Sequence, residues 1–92
     1  MTDITVKPMG EHRYAATVRE GELTTDHVVR VTEDFLDALA MPDADEERIV
    51  HESVAFLLDR EKSTELYEEF ELDLLIDKFP DDYLDELRTR LA

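Results

Sequence analysis

Cysteine is absent from this chain. That excludes a disulfide framework, a thiol nucleophile and any zinc site built on thiolates. Glycine stands only at Gly10 and Gly21, so no glycine-rich loop is present to cradle a phosphate. The longest uninterrupted apolar runs are three to five residues, far below the roughly 20 that cross a bilayer. The opening MTDITVKPMG has neither a basic n-region nor an apolar h-region. No secretory signal is therefore expected, and the chain reads as soluble and cytoplasmic. Lysine is scarce as well, limited to Lys7, Lys62 and Lys78.

Carboxylates dominate instead. Asp and Glu number 25 against 10 Lys and Arg, giving a formal net charge of −15 and a pI near 4.3. Such a surface repels phosphate backbones and argues against nucleic-acid binding. With 42% apolar residues in clean periodic patterns, the composition is that of a folded chain. Its 92 residues make a single domain, 1–92. Two explanations fit the acidity. One is adaptation to a salt-rich cytoplasm, as in an extreme halophile, where the Debye length falls to ~3 Å at 1 M and crowded carboxylates stop repelling one another. The other is an acidic surface aimed at a basic partner. Carboxylates in every segment and so few lysines favour salt adaptation.

Residues 1–31 alternate with period two. Ile4 and Val6 precede a Pro8-Met9-Gly10 breaker. Tyr14, Ala16 and Val18 then alternate with Arg13, Ala15, Thr17 and Arg19, and Thr25, His27, Val29 and Val31 share a face after the Glu20-Gly21-Glu22 turn. This predicts three antiparallel strands. Residues 32–92 take up helical spacing. Thr32 suits an N-cap, and the helix it starts should stop at Met41, before Pro42. Asp43 and Glu46 have capping-box spacing ahead of a central helix over Glu46–Arg60. On a helical wheel Ile49, Val50, Ser53, Val54, Phe56, Leu57 and Leu58 cover about half its circumference, so it needs cover from more than one side. Leu66, Tyr67 and Phe70 predict a further short helix, and Leu72, Leu75, Ile76 and Phe79 another. Pro80 at N1 opens the last, burying Tyr83, Leu84, Leu87 and Leu91, with Arg88 and Arg90 at its C-terminal end. The expected fold is α+β: a three-stranded antiparallel β-meander followed by four or five short helices packed on one face. Ile4, Val6, Tyr14, Leu58, Ile76, Phe79 and Leu84 are expected in the core beside the residues of the central helix.

The run Ser53-Val-Ala-Phe56-Leu57-Leu58-Asp-Arg60-Glu61, then Phe70-Glu-Leu72, then Ile76-Asp-Lys-Phe79-Pro80 resembles a signature of a small uncharacterised prokaryotic protein family. That family carries S-x-x-F-L-L-x-R-E, F-x-L and I-x-x-Y-F-P behind a β-rich N-terminal half. The likeness spans roughly the last 40–45 residues, and this chain departs from it at Lys78 and in its acidity. It implies an architecture. It implies no activity and no catalytic residue.

Few residues are candidates for chemistry. Glu47 and His51 are four apart on one helix face, a spacing that can clamp a divalent metal, but further ligands are needed and His12 and His27 belong to predicted strands. A solvated histidine is the preferred reading. Asp43, Asp45, Glu46 and Glu47 form one acidic cluster and Glu65, Glu68, Glu69 and Glu71 another, neither with the glycine a calcium loop requires. Both read as helix N-termini and solvated faces. Ser53 lacks a nucleophile elbow and an identifiable base, so its hydroxyl is expected on the carbonyl four residues back. No catalytic residue, cofactor or metal is expected. The expectation is a non-enzymatic cytoplasmic protein that binds another protein, with no nucleic acid and no membrane among its partners. An acidic regulator, antitoxin-like or mimicking nucleic-acid charge, is the alternative, and an enzyme or enzyme subunit comes third. A homodimer through an edge strand or the helical face is left open.

Overall fold

The computed structural model describes residues 2–92. Strands β1 (Thr2–Gly10), β2 (Arg13–Glu20) and β3 (Leu23–Arg30) form the expected antiparallel meander. The first hairpin turns at Glu11 and His12, both at positive φ (57° and 62°), the pattern of a type I′ turn. Side chains disfavour that region, and His12 is held there by two bonds. Its carbonyl accepts the Val31 N–H at 2.9 Å, and its Nδ1 lies 2.9 Å from Glu46 Oε1. Pro8-Met9-Gly10 does not break the strand. A register shift between Pro8 and Gly10 absorbs the irregularity and β1 runs on. The second hairpin turns at Gly21 (φ 62°), where a side chain would be strained.

Thr32 caps α1 (Glu33–Leu39) as its sequence position predicts, its Oγ1 accepting the Phe35 N–H at 3.1 Å. The helix ends at a left-handed Ala40 (φ 56°), one residue short of Met41. The central helix, α2 (Glu46–Leu58), is capped by Asp45, which accepts the Glu47 N–H at 3.2 Å; Asp43 does not form the predicted capping box. Buried Ile49, Val50, Ser53, Val54, Phe56 and Leu57 cover the broad arc. The helix packs on β1 and β2 on one side and on the C-terminal helix on the other.

The expected helix around Leu66, Tyr67 and Phe70 does not form. A single 3₁₀ turn (Ser63–Glu65) leads into a short strand, β4 (Glu69–Glu71), which pairs in parallel with β3, Phe70 opposite Val29. The sheet is therefore four-stranded and mixed, in the order β1-β2-β3-β4. Val28 donates to the Glu68 carbonyl at 2.7 Å and Leu72 to the Arg30 carbonyl at 3.1 Å. These bonds satisfy the far edge of β3, which a three-stranded sheet would have left open. Two helices follow, α3 (Asp73–Lys78) and α4 (Tyr83–Leu91), the latter starting three residues after Pro80. The core centres on Phe35, Phe56 and Tyr83, with Phe56 and Tyr83 ring centroids 5.1 Å apart. Ile4, Val6, Tyr14, Leu58, Ile76, Phe79 and Leu84 are only partly buried and form its rim.

Candidate functional site

The buried side chains of His27 and Ser53 are each bound to another part of the protein, whereas the Nε atoms of Arg13 and Arg90 are buried without a hydrogen-bond partner among the described residues. His27, turned inward from β3, places Nδ1 2.7 Å from the Tyr67 carbonyl and Nε2 2.9 Å from Thr25 Oγ1. Nδ1 thereby fixes the chain entering β4, and Nε2 is held by Thr25 of the same strand, β3. Ser53 does not bond back along its own helix as expected. Its Oγ lies 2.6 Å from the Tyr83 hydroxyl in the buried core. Burial holds the Tyr83 phenol well above its ordinary pKa, the wrong direction for a tyrosine that must ionise near neutral pH.

The three histidines lie apart. His12 bonds Glu46, His27 is buried at the β4 entry, and His51 lies 3.6 Å from Glu52. Glu47 and His51 share the flank of α2 that looks along β1 toward Ile4, Thr5 and Val6. Among the described residues no group of three or more His, Cys, Asp or Glu side chains converges as a metal would need. The acidic cluster Asp43, Asp45, Glu46 and Glu47 serves the α2 N-terminus, as predicted from its position: Asp45 is the cap, and Glu46 receives His12 and the Tyr14 hydroxyl, the latter at 3.2 Å. Desolvation first and the neighbouring Glu46 carboxylate second push the Tyr14 phenol up to about 12. This network straps the first hairpin to the central helix.

Arginines of the helical half are also committed, in a way the sequence does not reveal. Arg88 donates to the Leu39 and Ala38 carbonyls, both at 2.9 Å, and so caps the C-terminus of α1 from α4. Arg48 caps α4 in turn, donating to the Arg90 carbonyl at 2.9 Å and the Leu91 carbonyl at 3.3 Å. Arg60 reaches the Phe56 carbonyl at 3.2 Å with its guanidinium 3.7 Å over the Phe56 ring. Arg90 gathers Asp59 at 2.6 Å, with Glu52 and Glu86 each at 3.6 Å. Burial acts to lower its pKa, and the Asp59 bond with the surrounding carboxylates outweighs that and raises it. A planar fork suits these two-carbonyl and multi-carboxylate contacts better than an ammonium, which accounts for arginine over lysine at those positions.

Two surfaces remain for a partner. The first is the sheet face turned away from the helices. By strand alternation and register it carries Lys7, Arg13, Arg19 and Arg30 among Asp3, Asp26, Glu69 and Glu71, with Thr5, Ala15, Thr17 and Val28 between them. Its charges balance, which leaves the net −15 of the chain to the rest of the surface. The second is the free edge of β1, which has β2 on one side and, among the described residues, no strand on the other. A wide, polar-lined cleft of about 650 Å³ runs along that edge, between Thr2–Thr5 and the α2 residues His51, Ala55 and Leu58 with the cap residue Asp59. No described helix is long and apolar enough to cross a membrane. Compared with protein-family models, with curated proteins and with solved structures, the chain matches none.

Proposed function

We propose that this is a non-enzymatic cytoplasmic protein that works by binding another protein through the open face of its sheet, its acidity being a salt adaptation. The observation that carries this reading is the charge-balanced sheet face beside a helical side that holds the net negative charge. A partner meets four cations and four carboxylates there, with small and apolar residues between them, and so avoids the surface that carries the net negative charge. The buried polar groups support it, since Ser53, Tyr83 and His27 are consumed by the fold. So does the C-terminal signature, whose resemblance points to an architecture and to no chemistry.

The test is affinity capture of the tagged chain from a lysate of its source organism in molar KCl, alongside an Arg19→Glu/Arg30→Glu variant. A stoichiometric protein recovered by the native chain and lost by the variant is the expected result. A partner held equally by both would overturn the assignment to this face. The concentration of carboxylates on the helical side favours a second reading, an acidic regulator of a basic protein. A strongly basic captured partner, released by salt rather than by the variant, would select it.

A further inference from the structure

We propose that the chain self-associates through β1, two copies pairing antiparallel about Thr5 to make one continuous eight-stranded sheet. An open strand edge carries a row of unmet backbone donors and acceptors and is a template for another strand. The bulge between Pro8 and Gly10 ends regular pairing, so the described part of β1 open to a second strand lies within Thr2–Pro8, where Pro8 can accept a ladder bond and cannot donate one. A two-fold axis at Thr5 places Asp3 opposite the partner's Lys7, and Lys7 opposite the partner's Asp3. Odd-numbered residues of β1 share the open face, so these opposite charges meet on one side of the joined sheet. On the helix side the same register sets Ile4 beside the partner's Val6, and both are only partly covered in the single chain. Moving the axis by one residue in either direction breaks the Asp3–Lys7 match. The charge pattern of β1 selects this register, and the bulge limits its far end.

Charged residues and proline on an edge commonly prevent pairing. Here Lys7 comes with a counter-charge at the symmetric position, which turns a block into a selector of register. Asp3 and Lys7 are both exposed, and among the described residues neither makes an ion pair within the chain. The cleft between β1 and α2 lies along this same edge. A second copy would extend the sheet beneath it. The contact uses the edge together with Asp3 and Lys7 at the rim of the open face and leaves Arg13, Arg19 and Arg30 free, so it stands or falls separately from the binding role proposed above.

Sedimentation equilibrium in 0.5 M and 2 M KCl, with circular dichroism to verify folding, tests the contact. The native chain should sediment as a dimer. At 0.5 M KCl, Asp3→Lys and Lys7→Asp should each weaken it by about fivefold or more, because every substitution acts twice across the axis. The double variant Asp3→Lys/Lys7→Asp should recover the native constant. A spin label at Asp26→Cys reports the register directly. Asp26, Thr17 and Thr5 are one row of the sheet, so five strand spacings separate the two Asp26 Cα atoms, about 24 Å. A monomer at both salt concentrations, a double variant as weak as the single ones, or a label separation well beyond that distance would each overturn the proposal.

Discussion

The hydroxyls of Ser53 and Tyr83 lie 2.6 Å apart at the point where α2 and α4 press together, both side chains fully buried. Each hydroxyl is the other's hydrogen-bond partner. Tyr83→Phe strands the serine hydroxyl and Ser53→Ala strands the phenol, so each should cost about 1–3 kcal/mol. The double variant leaves neither group orphaned and should cost clearly less than the two single losses added, a coupling that a urea-denaturation cycle measures directly. Strict additivity would show that the two hydroxyls do not depend on one another.

The same phenol sets a limit at high pH. Burial raises the Tyr83 pKa in the folded state above the ordinary value near 10. The folded chain therefore holds this proton more tightly than the unfolded one. That contribution is intact below about pH 10 and declines as pH climbs from there toward the folded-state value. The native chain should accordingly lose stability above about pH 10, and Tyr83→Phe, less stable at neutrality, should show a flatter alkaline profile. Parallel profiles would remove Tyr83 as the cause.

Arg88 joins α4 to the C-terminus of α1 by donating to Leu39 and Ala38. Removing it leaves two helix-end carbonyls without these donors. Arg88→Met, which keeps the aliphatic stem, should cost about 1–3 kcal/mol. Arg88→Lys should recover only part of this, since a single ammonium does not reproduce the planar fork. Thermal unfolding of the two variants distinguishes fork from charge: equal stability of native and lysine forms would mean that charge alone matters.

How much of this was legible in sequence depended on the range of each interaction. α2 was readable because its apolar arc repeats over thirteen residues, and the Thr32 cap because capping is decided within three. β4 was not. Glu69-Phe70-Glu71 is too short to display a period of two, while Leu66, Tyr67 and Phe70 fit one edge of a helix. Its strand identity comes from β3, through pairing of Val29 with Phe70 across a long crossover. The Ser53 hydroxyl misled for a related reason, since a carbonyl one turn back is the local option and Tyr83 is visible only once α4 has docked. The open sheet face was present in the alternation of Arg13, Thr17 and Arg19 with Tyr14, Ala16 and Val18. Its balance of charge needed the register of all four strands.

His12 offers a titration that reads the hairpin strap directly. Its bond to Glu46, together with that carboxylate's charge, raises its pKa above the usual 6.5. With the folded value above the unfolded one, the strap's contribution is complete below pH 6.5 and fades as pH rises through the folded value. By NMR, His12 in the native chain should titrate above 6.5 and move back toward it in Glu46→Gln. An unchanged midpoint in that variant would mean that Glu46 is not the cause.

Salt dependence separates the two accounts of the acidity, because screening acts on repulsion and attraction with opposite signs. Clusters such as Arg90 with Asp59, Glu52 and Glu86 lose attraction as salt rises. Carboxylates nevertheless outnumber bases by 25 to 10, so most have no cation to pair with and repulsion is the larger quantity. As KCl rises from 0.1 M to 1 M the Debye length falls from ~10 Å to ~3 Å, and the repulsion between neighbouring exposed carboxylates is largely removed. The urea midpoint should therefore climb steeply to about 1 M KCl and flatten beyond it. Repeating the series at tenfold different protein concentrations isolates any part due to self-association, which alone makes the midpoint concentration-dependent. A midpoint that is flat or falls with KCl would leave salt adaptation without support and shift the acidity to the account of a basic partner.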